Sequence, residues 1–236
     1  NASLVVAGDF DTEVAKKLIE EQFGGIPRGA DTTQLAQTKT VVEAQEIRQY
    51  QKVPEQKFWI AYTSPAFYEP GDAELDILCS VLSSGKDSRL YKKLVMEDQV
   101  ATSIRVGQSS SKLESMLIIS GTAAAGHTTD EVIAAAGAVI AEVLSTKPPT
   151  QEEVDASKAQ FEVGFYGGIR TIGDRGDQLQ RYNYFTGDPG YIDDDLARYL
   201  PITPEAAVAA GKEVLAGERV VLHIWPEGDK PEEEAN

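Results

Sequence analysis

Two histidines, one cysteine and a surplus of carboxylates are the side chains from which this 236-residue sequence would have to build a catalytic centre. A catalytic zinc takes three protein ligands, His or carboxylate, commonly with two of them at helical spacing so that one helix face presents both. His127 and His223 stand far apart, the first after Gly126 in a loop and the second inside a β-rich run. The local sequence predicts a solvated turn for His127 and the solvent face of a strand for His223. Cys79 lies within Leu75-Asp-Ile-Leu-Cys-Ser-Val-Leu82. No base or cation nearby would lower its thiol pKa, so it reads as a core residue. The paired carboxylates Asp193-Asp194-Asp195, Glu152-Glu153 and Glu20-Glu21 are expected as solvated helix faces and caps in a chain of net charge −16. Gly164, Gly167, Gly168 and Gly173 follow no strand and precede no Gly-Lys-Ser, so the phosphate-loop pattern fails. The residues therefore nominate no catalytic group and no metal ligand.

One cluster could touch a ligand without reacting with it. Arg181-Tyr-Asn-Tyr-Phe185 combines the residue types that anchor peptides, which makes Arg181, Tyr182 and Tyr184 the candidate substrate-binding residues. The competing reading packs Tyr182 and Phe185 inward. A stand-alone peptide-binding module requires an exposed Tyr182.

Composition narrows the partners. Binding to phosphate backbones or anionic lipid begins with clustered Lys and Arg, and a pI near 4.5 argues against both. No stretch approaches the roughly 20 apolar residues of a membrane span, and no charged segment followed by an apolar one stands at the start. A single cysteine excludes an internal disulfide and fits the cytosol and a cysteine-poor bacterial envelope equally. The apolar share of 42% is ample for a core. The sequence enters a β-like run almost directly after Asn1, without Met, and reads as a segment whose natural start lies upstream.

The elements that must position these residues follow from periodicity. Ser3 to Ala7 predicts a buried strand, and Val14, Leu18, Ile19 and Phe23 a helix stopped by Gly24-Gly25 and Pro27. Residues 28–40 lose periodicity and read as a connector. Val41 to Tyr50 and Lys57 to Thr63 are β-rich; Asp72 to Ser83 is an amphipathic helix, and Ser88 starts a second with Leu90, Tyr91 and Leu94. Val100 to Ser109 and Ser115 to Ala124 predict an antiparallel pair. Helices are expected over Thr129 to Leu144 and Glu152 to Arg170, the latter opened by a Thr150/Glu153 capping box. Asp174 to Phe185, Ile192 to Leu200 and Pro204 to Leu215 predict further helices, and Val220 to Ile224 a closing strand before an acidic tail. Strands and helices in blocks indicate an α+β fold rather than a doubly wound sheet.

Several stretches together resemble one family. They are Ser3-Leu-Val-Val-Ala-Gly-Asp-Phe10 with Phe23-Gly-Gly-Ile-Pro27, Pro70-Gly-Asp-Ala-Glu-Leu75, Ser84-Gly-Lys-Asp-Ser-Arg-Leu-Tyr91, Asp177 to Phe185, Gly187-Asp-Pro-Gly-Tyr191, and Val220-Val-Leu-His-Ile-Trp-Pro226. In this order they resemble the pitrilysin and insulin-degrading-enzyme group of zinc metallopeptidases, which includes mitochondrial processing peptidase, and above all its bacterial, long-chain members. The resemblance implies an α+β fold: an antiparallel-rich sheet with helices on one face, preceded by a strand-helix remnant of the related first domain. It implies that residues 1–27 end the upstream catalytic-type domain, 28–40 link, 41–226 form the non-catalytic domain, and 227–236 are an acidic tail. Zinc in that group is held by an inverted His-x-x-Glu-His on a helix of the first domain. That motif is absent here, so no cofactor is expected in this chain and zinc is expected in the parent protein.

The group also places an Arg, and a Tyr seven positions later, after Ser-Arg-Leu in the opposite half, to position substrate. Those slots hold Val95 and Thr102, neither of which can replace its counterpart. The resemblance thus implies the second domain of a zinc-bearing half, partnered by an upstream zinc-binding domain, an opposing Arg/Tyr-bearing half and a peptide substrate, and inactive alone. The alternative is a catalytically dead structural or assembly subunit of the same fold. Exported relatives point to a bacterial periplasm or envelope.

Overall fold

The computed structural model describes residues 2–30 and 41–231. Most of the connector expected at 28–40, and the last residues of the acidic tail, lie outside the described residues. The body is a five-stranded sheet in the order β1-β5-β2-β4-β3, formed by β1 (Gln45–Gln51), β2 (Lys57–Ser64), β3 (Ala101–Ser109), β4 (Ser115–Ala123) and β5 (Arg219–Pro226). Only β1 and β5 run parallel; the other pairings are antiparallel. The polar residues 110–114 close β3 onto β4 as a hairpin, as their composition predicts.

Seven α-helices accompany the sheet among the described residues: α1 (Thr12–Phe23), α2 (Asp72–Ser83), α3 (Thr129–Val143), α4 (Gln151–Gly167), α5 (Ile172–Phe185), α6 (Ile192–Ala197) and α7 (Pro204–Leu215). Their starts are chemically marked. The hydroxyls of Thr128, Thr150 and Thr171 accept backbone N–H groups at the third helical position, while Glu131, Glu153 and Asp174 reach back to the cap. Thr203 caps α7 ahead of Pro204. α2 begins at Gly71 with φ +94°, a conformation costly for any residue with a Cβ.

Alternation along the strands sends Phe58, Ile60, Tyr62, Leu117, Ile119 and Val221 to one face, where they form the core with the apolar stripes of α2, α3 and α7. α2 and α7 approach closely because Gly211 leaves room. A Cβ there would stand 2.3 Å from Leu78 Cδ2 and 3.0 Å from Leu144 Cδ2. The family-like Ser88-Arg89-Leu90 step leads into a π-helix, Tyr91–Glu97, followed by Gln99 at φ +56° and a bulge that leaves Thr102 unpaired between Ala101 and Ser103. Arg89 forms a two-pronged pair with Glu153 of α4, at 2.6 and 2.8 Å, which ties this step to the helix layer.

Three expectations need correction. Asp195 is not solvated: it is 5% exposed, paired with Arg198 and accepting from Tyr182, because α6 turns it toward α5. Ser3 to Ala7 is not a strand: no described strand pairs with it, and Leu4 and Val6 are exposed. Instead Val5 rests against Gly176 and the Ser3 hydroxyl donates to Gln180 Oε1 at 2.8 Å, both on α5. A β-prone run needs a free strand edge in register, and this one reaches a helix. His223 is not on a solvent face either. It is 1% exposed, on the helix-covered side of β5, with Nδ1 2.8 Å from Thr129 Oγ1. That hydroxyl also accepts from Trp225 Nε1 at 2.9 Å, so the neighbouring ring and the start of α3 supply the polar partner that makes burial tolerable.

Candidate functional site

The helices cover one face of the sheet, and the other is open. On the open side the register sets side chains in rows across the strands. One row runs Ile47, Leu222, Trp59, Ser120, Arg105 from β1 to β3, and the next runs Gln49, Ile224, Lys57, Thr122, Ser103. Trp59 is 37% exposed, and Met116, four positions along β4 from the Trp59 partner Ser120, is 46% exposed. The Ser103 hydroxyl donates to Thr122 Oγ1 at 3.1 Å, so the second row is internally linked. Apolar residues with a few hydroxyls and cations on a flat, hydrogen-bonded scaffold can hold an extended peptide. They contain no nucleophile, base or Lewis acid with which to cut it.

The aromatic cluster of α5 divides. Tyr182 is 0% exposed, donates to Asp195 Oδ2 at 2.9 Å and packs edge-on against Tyr191. Burial, first, and the Asp195 carboxylate raise its phenol well above the ordinary range. Its hydroxyl is engaged and sealed away from any ligand, which removes most of the support for a stand-alone peptide-binding module. Arg181 lies outside, its guanidinium 4.8 Å from the Phe67 ring centre, and Tyr184 is 60% exposed beneath Lys112 Nζ at 4.3 Å. Beneath this cluster, Arg198 bridges Asp72 Oδ2 and Asp195 Oδ1, both at 2.8 Å, and stacks on Tyr68. Tyr68 takes φ +68°, held there by its N–H donating to Asp72 Oδ2 at 3.1 Å, and desolvation first of all pushes its phenol up to about 12. Tyr199 donates to Asp76 Oδ2 at 2.8 Å, and burial raises the Asp72 and Asp76 carboxyls. These groups clamp α5 and α6 onto α2, which is packing chemistry.

The two slots for a substrate clamp are also placed. Val95 sits half-buried on the π-helix against the core, and Thr102, exposed at the bulge, directs its hydroxyl to Thr122 O at 3.5 Å. Neither offers a long donor. The π-helix and the bulge thus carry no Arg or Tyr at positions 95 and 102.

A catalytic zinc does not fit the donors. His127 Nδ1 pairs with Glu131 Oε2 of its own helix cap at 3.1 Å. His223 Nε2 faces Glu46 Oε1 at 3.6 Å and Asp130 Oδ1 at 3.8 Å, a grouping the sequence did not foreshadow because it joins β1, β5 and the first turn of α3. Arg48 already lies between those carboxylates, 2.5 Å from Glu46 Oε1 and 3.6 Å from Asp130 Oδ2, and stacks on Trp225. The three ligands are thus part of an ion-pair network with its own cation, and no second histidine joins them. Burial lowers the His223 pKa and keeps the ring neutral. Cys79 is buried, and desolvation raises its thiol well above normal, so it is no nucleophile.

A protease from Helicobacter pylori superposes with a TM-score of 0.80 at 18% identity, over 93% of this chain and 54% of that one. A peptidase M16 inactive domain from Pseudomonas fluorescens does so with a TM-score of 0.78 at 18% identity, over 93% and 52%. The periplasmic protease PqqL from Escherichia coli gives 0.72 at 15% identity, over 93% and 24%. The chain spans about half the length of the first two. At these identities the likeness is one of fold. No curated protein sequence matches significantly. The family described as the peptidase M16 inactive domain matches residues 1–161, and the chain belongs to that family.

Proposed function

We propose that this chain is the non-catalytic domain of a zinc metalloendopeptidase, forming part of a peptide-enclosing chamber and packing against a separate zinc-binding domain. The observation that carries the reading is the apolar surface of the N-terminal segment. Val14, Leu18 and Phe23 form the stripe of an amphipathic helix, and all three are about half exposed, as are Leu4, Val6 and Phe10 before them. α1 is capped by Asp11, whose carboxylate accepts from the N–H groups of Glu13 and Val14, so it is a well-formed helix with its core side uncovered. Apolar surface of this extent marks an interaction site. In this reading residues 1–27 belong with the zinc-binding domain, 28–40 link, 41–226 form the inactive domain and 227–236 a tail. Water activation on zinc belongs to the other domain, and this one contributes wall and packing. The outer residues Arg181, against Phe67, and Tyr184, against Lys112 of the β3–β4 hairpin, are its candidate substrate contacts.

The test is reconstitution. The chain is co-expressed with the zinc-binding domain of an M16 peptidase, and co-purification and peptide hydrolysis are measured. The expected result is a stable complex with zinc-dependent hydrolysis, no hydrolysis by this chain alone, and loss of the complex in Leu18→Asp/Phe23→Asp. Hydrolysis by the isolated chain, or a complex indifferent to those changes, would overturn the reading. A complex that forms but stays inert would favour the structural-subunit alternative.

A further inference from the structure

The charge of the open sheet face points to the kind of peptide it takes. Carboxylates outnumber lysines and arginines 38 to 22 in this chain. Yet the outward strand positions fixed by the register carry none. From β1 to β3 they are glutamines and Ile47, then aliphatics, then Lys57 and Trp59, then Met116 and Ile118 with hydroxyls, then Ser103 and Arg105. Glu46, the acidic residue of β1, alternates to the other side, where Arg48 neutralises it. The rim carboxylate Asp229, in the turn after β5, is engaged by Gln56 Nε2 at 2.9 Å. Depletion of Asp and Glu from strands is general, but Lys is depleted too, and here Lys57 and Arg105 remain. Against an acidic molecule, a positive apolar face is a local inversion of sign, and low-dielectric walls focus such a field.

The spacing suits an extended ligand. Trp59 lies two positions from Lys57 along β2, about 7 Å, and two strands from Arg105, about 10 Å. An unfolded segment rises about 3.3 Å per residue, so a side chain resting on Trp59 has neighbours two to three positions away within reach of either cation, and one resting on Ile118 has them within reach of Arg105. We infer that the open sheet face binds extended peptide segments in which apolar residues are flanked by Asp or Glu, and that Lys57 and Arg105 select for that acidity. This rests on the chamber-wall reading and adds the substrate class to it.

The molecule holds its own reporter. Trp59 is on this face, whereas the other tryptophan, Trp225, is bonded to Thr129 on the helix side. Two unfolded, tryptophan-free peptides with the same apolar residues, one flanked by Glu and one by Lys, are titrated into the full 236-residue chain at low salt. Binding is read by Trp59 emission and by anisotropy of a labelled peptide. The expected result is tighter binding of the Glu peptide by about tenfold or more, narrowing in 1 M salt as charges are screened. Lys57→Glu/Arg105→Glu should reverse the preference, and Trp59→Phe should abolish the emission change while anisotropy still reports binding. Both cations lie outside the core, and circular dichroism of the double variant checks its fold. Equal affinity for the two peptides, preference for the Lys peptide, or binding that leaves Trp59 emission unchanged would overturn the inference. Those results leave the chamber-wall reading to its own test, because co-purification through Leu18 and Phe23 does not involve this face.

Discussion

Met116 and Leu117 are neighbours on β4 and meet opposite conditions: Met116 is 46% exposed on the open face, and Leu117 is 2% exposed under the helices. The contrast extends across the sheet. Phe58, Ile60 and Tyr62 of β2 enter a close-packed core, while Trp59 and Ala61 between them face outward. Both faces carry large apolar side chains, but the open one also holds glutamines, hydroxyls, Lys57 and Arg105. One face carries the packed core of the fold, and among the described residues no helix covers the other. A purely structural domain needs only the first.

The comparison can be broken most directly at that pair. Leu117→Ala leaves a cavity under the helices and should cost about 2–4 kcal/mol in denaturant unfolding, whereas Met116→Ala should cost less than about 1 kcal/mol. Similar losses at both positions would mean that the open face is covered in solution. Next in size is His223. Replacement by Ala leaves a cavity and deprives the buried Thr129 hydroxyl of its His223 Nδ1 partner, while the Trp225 N–H keeps its bond to Thr129 Oγ1, for a loss of about 2 kcal/mol.

The same residue sharpens the comparison by pH. Burial depresses the folded-state pKa of His223 below the usual 6.5, so protons bind the unfolded chain more readily. Its contribution is present above about pH 6.5 and declines as pH falls toward the folded pKa. His223→Gln should flatten that part of the stability profile, and a profile unchanged by the substitution would place the ring in water.

Smaller again is the clamp between Arg89 and Glu153. The guanidinium first, helped by the Thr150 cap, holds the Glu153 carboxyl at about 2. Its stabilisation is present above the unfolded value near 4.5 and is lost as pH falls toward 2. Because the pair is partly solvated, Glu153→Gln should cost only about 0.5–1 kcal/mol at neutral pH, and should remove the acid-dependent part between those limits. The smallest effect belongs to α1: Leu18→Ser should change stability by less than about 0.5 kcal/mol in denaturant unfolding of the isolated chain, since the side chain is already exposed.

Much of the body was legible because its signals are local. Thr150 and Glu153 mark the start of α4 three residues apart, Thr203-Pro204 marks α7, and the alternation in β2 shows which residues face together. The family marks were legible as well, and Arg89 turned out to act through Glu153, a partner 64 positions away that no local pattern names. The candidate site was less legible. Arg181, Tyr182 and Tyr184 share one motif, yet helical geometry turns Tyr182 inward to Asp195 and leaves the other two outside. The expectation for His223 failed for the same reason: alternation along β5 gives two faces, and only the packing of α3 decides which one is covered.

From the sequence alone came the α+β class, the helix starts, the family and the lack of a His-x-x-Glu-His, since each rests on residue types within a few positions of one another. Tertiary structure alone decided which sheet face stays open, that Ser3 to Ala7 lies on α5 instead of in a sheet, and that an acidic chain presents a face without carboxylates. Those outcomes depend on strand order and register, which bring together residues as distant as Ile47, Trp59, Arg105 and Leu222, and no one-dimensional spacing records that meeting.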